Sequence, residues 1–162
     1  MRDPHVPANI RIAKDGTWFY EGAEMFRREI VHFFYQYLKI DSDGNYLIEM
    51  PGDPGDRCYV EVEDTAFVVQ AVEGVRPLPA GEEGLFIRLS DDTEEALDPE
   101  SLQTGADNIL YCSVRGGLFR ARFSRAGYYQ LARYIDYDEP RGAFFLSLNG
   151  ERYYIRQRST NA

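Results

Sequence analysis

Two rhythms of apolar residues run along this 162-residue chain. Short apolar runs, Ile10-Arg11-Ile12 and Trp18-Phe19-Tyr20, flank Asp15-Gly16, a pair that suits a tight hairpin turn. From Glu24 to Lys39 the period becomes helical. Phe26, Ile30, Phe33, Phe34, Tyr37 and Leu38 fall on one stripe, which predicts a core-facing side, with Arg28, His32 and Lys39 opposite. Asp43-Gly44 then starts the strand pattern YLIEM, and PGDPGD leads into CYVEVED.

The last third has the same layout. ILYCSV (109–114) and LFRARF (118–123) flank Arg115-Gly116-Gly117, and a helix is predicted over about 125–135 with Tyr128, Leu131, Ala132 and Ile135 on one face. AFFLSL, the turn pair Asn149-Gly150 and RYYIRQ follow. Ile30, Phe33 and Tyr37 align with Tyr128, Leu131 and Ile135 at a constant offset of 98, and Trp18 aligns with Leu118. The pattern predicts an α+β fold: two β-hairpin–helix–β-hairpin repeats packed together, with extra strands linking them. Its segments are an N-terminal extension (1–8), a first repeat (9–72), a linking segment with a strand and an acidic loop (73–107), a second repeat (108–157) and a C-terminal tail (158–162).

Composition supplies a core and narrows the partners. Apolar residues make up 44% and aromatics 14%, enough for a core rich in Phe and Tyr. The formal charge of −9 repels phosphate backbones and argues against general nucleic-acid binding. No run approaches the ~18 apolar residues of a membrane span. MRDPHVPANI lacks the apolar region and cleavage site of a signal peptide, so a cytoplasmic protein is expected. Cys58 and Cys112, each in a strand-like run, fit reduced thiols in that compartment.

Standard chemical motifs are missing. DSDGN (41–45) has glycine at the fourth position of a calcium loop rather than the sixth, and reads as a turn. Two histidines and two distant cysteines exclude a zinc cluster, so neither metal nor cofactor is expected. Glu63, with Asp64 beside it, offers carboxylates that suit acid–base chemistry or the polar side of a strand. Arg27 and Arg125 each begin a predicted helix, where free N–H groups and the dipole favour anions over cations. An acidic neighbour such as Glu63 or Asp64, or an anionic ligand, would offset a cation there.

DGTWFYEG (15–22), Arg27 with the following EIVHFF, and VEVEDTAFVV (60–69) together resemble a bacterial family, domain of unknown function 1285. The later Val114-Arg115-Gly116-Gly117-Leu118 and the run from Arg125 to Leu131 are similar to that family's V-R-G-x-L turn and its arginine-led helix. The resemblance spans about residues 9–157. Ala66 stands where the family tends to have proline, and Ser90-Asp91 where it has Thr-Asn. The resemblance implies a two-repeat α+β fold and a regulatory, signal-transduction-like role through ligand binding, with no catalytic assignment.

The expectation is therefore a cytoplasmic binding or regulatory module that takes a small anionic ligand or a protein partner between the repeats. Trp18 and Tyr20 are its expected stacking faces, Arg27, Arg115 and Arg125 its anion contacts, and Glu63 and Asp64 its acceptors. The alternatives are a hydrolase using Glu63 or Asp64 as base, and a non-catalytic structural homodimer.

Overall fold

The computed structural model describes residues 9–52 and 56–157; the expected N-terminal extension and C-terminal tail lie outside them. The fold is α+β and mostly sheet, with two α-helices among the described residues. It divides into two compact units, residues 1–66 and 67–162.

The first unit runs β1 (Ile10–Ile12), β2 (Trp18–Tyr20), β3 (Ala23–Glu24), α1 (Arg28–Gln36), β4 (Leu38–Ile40), β5 (Tyr46–Glu49) and β6 (Arg57–Val62). Its sheet has the order β3-β2-β1-β6-β5-β4, in which β1 and β6 pair in parallel and the other neighbours antiparallel. Asp15-Gly16 makes the β1–β2 turn: Gly16 has φ +92, and the Asp15 carboxylate accepts from Thr17 N at 3.0 Å.

Helix α1 differs from its sequence expectation in length and in face. It ends at Gln36, so Tyr37 and Leu38 are not helical. Tyr37 N donates to Phe34 O, which tightens the last turn, and Tyr37 O accepts from Glu49 N of the neighbouring strand. Its buried residues are Val31 and Tyr35, whereas Phe26 is 80% exposed and Ile30 and Phe33 are also exposed. Tyr35 sets this rotation. Its ring meets Trp18 edge-on at 4.9 Å, and its hydroxyl donates to Ala66 O at 2.8 Å. Ile12, Trp18, Leu47 and Ile48 complete the core beneath it.

The second unit begins with β7 (Phe67–Pro77), β8 (Glu83–Leu89) and β9 (Glu94–Ala96). There follow a 3₁₀ turn (Pro99–Ser101), β10 (Gln103–Thr104), β11 (Leu110–Val114), β12 (Phe119–Phe123), α2 (Arg125–Ala132), β13 (Ile135–Asp138), β14 (Ala143–Leu148), β15 (Glu151–Tyr154) and β16 (Arg156–Gln157). One sheet has the order β16-β10-β11-β12-β7-β8-β9, and a second has β13-β14-β15. Pairing is parallel at β12–β7 and β10–β16.

Both units contain a hairpin, a helix and three antiparallel strands in that order. In the first unit these strands rejoin β1, whereas β13–β15 form a sheet of their own. Burial also shifts within the aligned hairpins. Trp18 is 2% exposed and its aligned Leu118 is 73% exposed, the buried apolar place being taken by Phe119.

Helix α2 is anchored at its start. Ser124 caps it by accepting from Gly127 N at 3.0 Å, and Ser124 N donates to Val69 O of β7. Gly127 lies so close to β7 that a Cβ there would sit 2.7 Å from Val69 O. Cys58 and Cys112 form no disulfide, and burial pushes the Cys112 thiol far up, which makes it unreactive. Among the described residues no helix is long and apolar enough to cross a membrane.

Candidate functional site

Two of the expected ligand contacts, Tyr20 and Arg27, share a groove in the first unit. The chain turns after Tyr20 through Glu21 and Gly22, both at positive φ, pairs back as β3, and then enters α1. Between β2–β3 and the start of the helix lies a cavity of 490 Å³ lined by Ile10, Tyr20, Ala23, Glu24, Met25, Phe26, Arg27, Ile30 and Phe34. Arg27 is the residue preceding the helix. Its carbonyl accepts from Ile30 N and Val31 N, but its side chain caps nothing. Among the described residues its guanidinium forms no ion pair. Glu24 is the carboxylate on the same rim, so the lining is apolar with one charge of each sign.

Trp18 lies under this groove rather than in its wall. Its ring stacks on Phe34, a lining residue, at 6.1 Å with the planes 23° apart. The indole Nε1 is buried and has no hydrogen-bond partner among the described residues. Trp18 is thus first a core residue, coupled to the groove through Phe34.

Glu63 and Asp64 do not line this groove. Glu63 accepts from Lys14 N at 3.2 Å and faces Arg11 at 3.7 Å, with its side chain 44% exposed. Its cationic neighbour is Arg11, not Arg27. Asp64 follows on a bend after β6.

Arg115 and Arg125 stand at opposite ends of β12. Arg115, at φ +54 in the β11–β12 turn, is held by two carboxylates. Its backbone N–H donates to both oxygens of Glu95 at 3.2 and 3.3 Å, and its guanidinium pairs with Asp91. The same guanidinium lies over the Phe67 ring, 5.1 Å from its centroid. Asp91 is buried and also accepts from Thr93 N and Oγ1. Burial raises the Glu95 pKa above the usual carboxylate range against the pull of Arg115. The Arg115 charge is therefore met internally, in part by Asp91. Arg125 is exposed on the first turn of α2.

The second unit has a larger cavity, of 660 Å³, that includes none of the expected site residues. Its floor is Leu110 and Leu131, both buried. Tyr128, Ala132, Ile135, Phe144 and Ile155 form apolar walls, closed by Gly142 and Ala143, and Thr104, Asn108 and Gln157 supply polar groups. Three of these are placed by strand register: Thr104 of β10 pairs with Leu110 of β11 on one side and Gln157 of β16 on the other. Only the Tyr128/Leu131/Ala132/Ile135 face was readable from the sequence, as a helical stripe.

Comparison with known proteins adds the family. The family model described as "Domain of unknown function (DUF1285), N-terminal domain" matches residues 3–65, nearly the whole first unit. No curated protein matches the chain. A DUF1285 family protein from Silicibacter pomeroyi DSS-3 is similar with a TM-score of 0.69 at 25% identity, covering 90% of this chain and 78% of that one. Another from Shewanella baltica OS155 shares the fold with a TM-score of 0.61 at 20% identity, covering 78% of this chain and 91% of that one. The family model and the Silicibacter neighbour support assignment of the chain to the DUF1285 family, its first unit matching the family's N-terminal domain.

Proposed function

We propose that the protein is a non-catalytic, regulatory ligand-binding module whose first unit takes a small amphipathic anion in the groove beside α1. The observation that carries this reading is Arg27: a cation without an ion pair among the described residues, on the rim of a mainly apolar cavity that it shares with Glu24, and beside the N–H groups of a helix start. Tyr20, Phe26 and Phe34 supply the surface for the ligand's apolar body. Glu24 opposes an anion and so tunes its affinity downward. A hydrolase reading has less support, because Glu63 is half-exposed, engaged by Lys14 N and Arg11, and outside the groove. The shared order of hairpin, helix and three strands supports the further reading that residues 9–72 and 108–157 are structural repeats, and the two thiols fit a cytoplasmic setting.

Trp18 makes the test direct, since the chain's single tryptophan stacks on the groove residue Phe34. Titration with octanoate or 3-phenylpropionate should change its emission saturably. Arg27→Gln should weaken binding about tenfold, equivalent to ~1.4 kcal/mol, and Glu24→Gln should tighten it. An emission change indifferent to both substitutions, or no change at all, sinks the proposal.

A further inference from the structure

The geometry points to a second ligand site in the unit spanning residues 67–162: its 660 Å³ cavity binds an uncharged molecule with an apolar body and one amide-like polar edge. The volume falls within the range of small-molecule pockets, roughly 300–1,000 Å³. Charge decides the ligand class. Charged residues make up 28% of the chain, yet among the described residues none lines this cavity. Arg141, next in sequence to a lining glycine, is committed elsewhere: its guanidinium lies 4.3 Å from the centroid of the Tyr154 ring. An ionic ligand would lose hydration here and gain no counter-charge, whereas a neutral one loses little.

The polar groups present are neutral and unengaged. Among the described residues, the side chains of Thr104, Asn108 and Gln157 make no hydrogen bond. Asn and Gln each present a donor and an acceptor, the complement of a carboxamide or a nucleobase edge. Asn108 is brought to the cavity by a costly backbone path, since both it and Asp107 have positive φ, 59 and 58. Beneath this edge, Leu110 and Leu131 form a buried apolar floor, and the partly exposed Tyr128 stands at the side with its ring available for stacking.

The test uses matched neutral and anionic probes: benzamide against benzoate, nicotinamide against nicotinate, and indole-3-acetamide against indole-3-acetate. Binding is followed by NMR on the full chain, at the amide and methyl signals of Leu110, Leu131 and Ile155. At least one amide should shift these signals saturably, and its acid should bind about tenfold more weakly. Ala132→Trp, at an exposed helix position on the cavity wall, should abolish the shifts while leaving the unfolding temperature unchanged. Gln157→Leu should narrow the preference for amide over a plain benzene probe. No saturable shift with any amide, equal binding of the acids, or binding that survives Ala132→Trp overturns the assignment. These signals lie outside the first unit, so the outcome is separable from the Trp18 titration.

Discussion

Gly127 offers the sharpest check on how α2 is mounted. In an unconstrained helix, Gly→Ala stabilises by about 0.8–1 kcal/mol. Here the added Cβ would lie 2.7 Å from Val69 O, 3.3 Å from Ser124 Oγ and 3.5 Å from Val69 C. The nearest atom is backbone, in a strand paired on both sides by β12 and β8, so it has little room to retreat. Moving the helix away instead would stretch Ser124 N–Val69 O, now 3.0 Å. A 2.7 Å contact with strand backbone belongs in the upper part of the typical 1–3 kcal/mol cost of overpacking, about 2–3 kcal/mol, and subtracting the propensity gain leaves a net loss of about 1–2 kcal/mol. Thermal unfolding followed by circular dichroism should show a midpoint lower by roughly 2–8 °C, at about 2–4 °C per kcal/mol for a chain of this size. The exposed neighbour gives the control: Ala126→Gly removes no close contact and should cost only the ordinary ~1 kcal/mol. An unchanged or raised midpoint in Gly127→Ala would refute the close approach of α2 to β7.

Two further outcomes concern the buried Tyr35 hydroxyl and the half-buried Glu95 carboxylate. Tyr35→Phe removes the 2.8 Å bond to Ala66 O and leaves that carbonyl unpartnered by Tyr35, so urea unfolding should show a loss of about 1–2 kcal/mol; an unaltered midpoint would mean the bond contributes nothing. Glu95, whose pKa burial raises, holds its proton more tightly folded than unfolded. Its contribution therefore falls as pH rises from the ordinary glutamate range through the raised folded value. Glu95→Gln should lessen that fall relative to wild type in urea midpoints measured across the window, and identical pH profiles would contradict the burial of Glu95.

How much the sequence disclosed depends on whether a signal is local. The Asp15-Gly16 hairpin was legible because turn chemistry is carried by the residues of the turn. Trp18, expected as a stacking face, proved a buried core position, and its alignment with Leu118 did not carry that burial, since Leu118 is exposed. The face of α1 was not legible. Periodicity shows that Phe26, Ile30 and Phe33 share a side, but burial went to Val31 and Tyr35, where Trp18 and the Ala66 carbonyl supply partners. Arg115 looked like an anion contact as an arginine at a predicted turn; its carboxylates come from Asp91 and Glu95, 24 and 20 positions away in sequence. The second cavity was illegible for the same reason. Thr104 and Gln157 become neighbours only through the parallel pairing of β10 with β16.

The parallel pairing of β12 with β7 has a consequence for synthesis. Phe67, the first residue of β7, pairs with Ala121, which leaves the ribosome 54 residues later. The first unit, by contrast, has all its strands once Val62 has emerged. At about 5–20 residues per second, the apolar Phe67-Val68-Val69 edge waits several seconds for its partner, although β8 can close the opposite side sooner. Long-range parallel pairing of this kind is slow and leaves a sticky edge open during translation. The nascent chain is therefore most exposed to misassociation after residue 67 and before residue 121, with the family-matched unit already complete upstream.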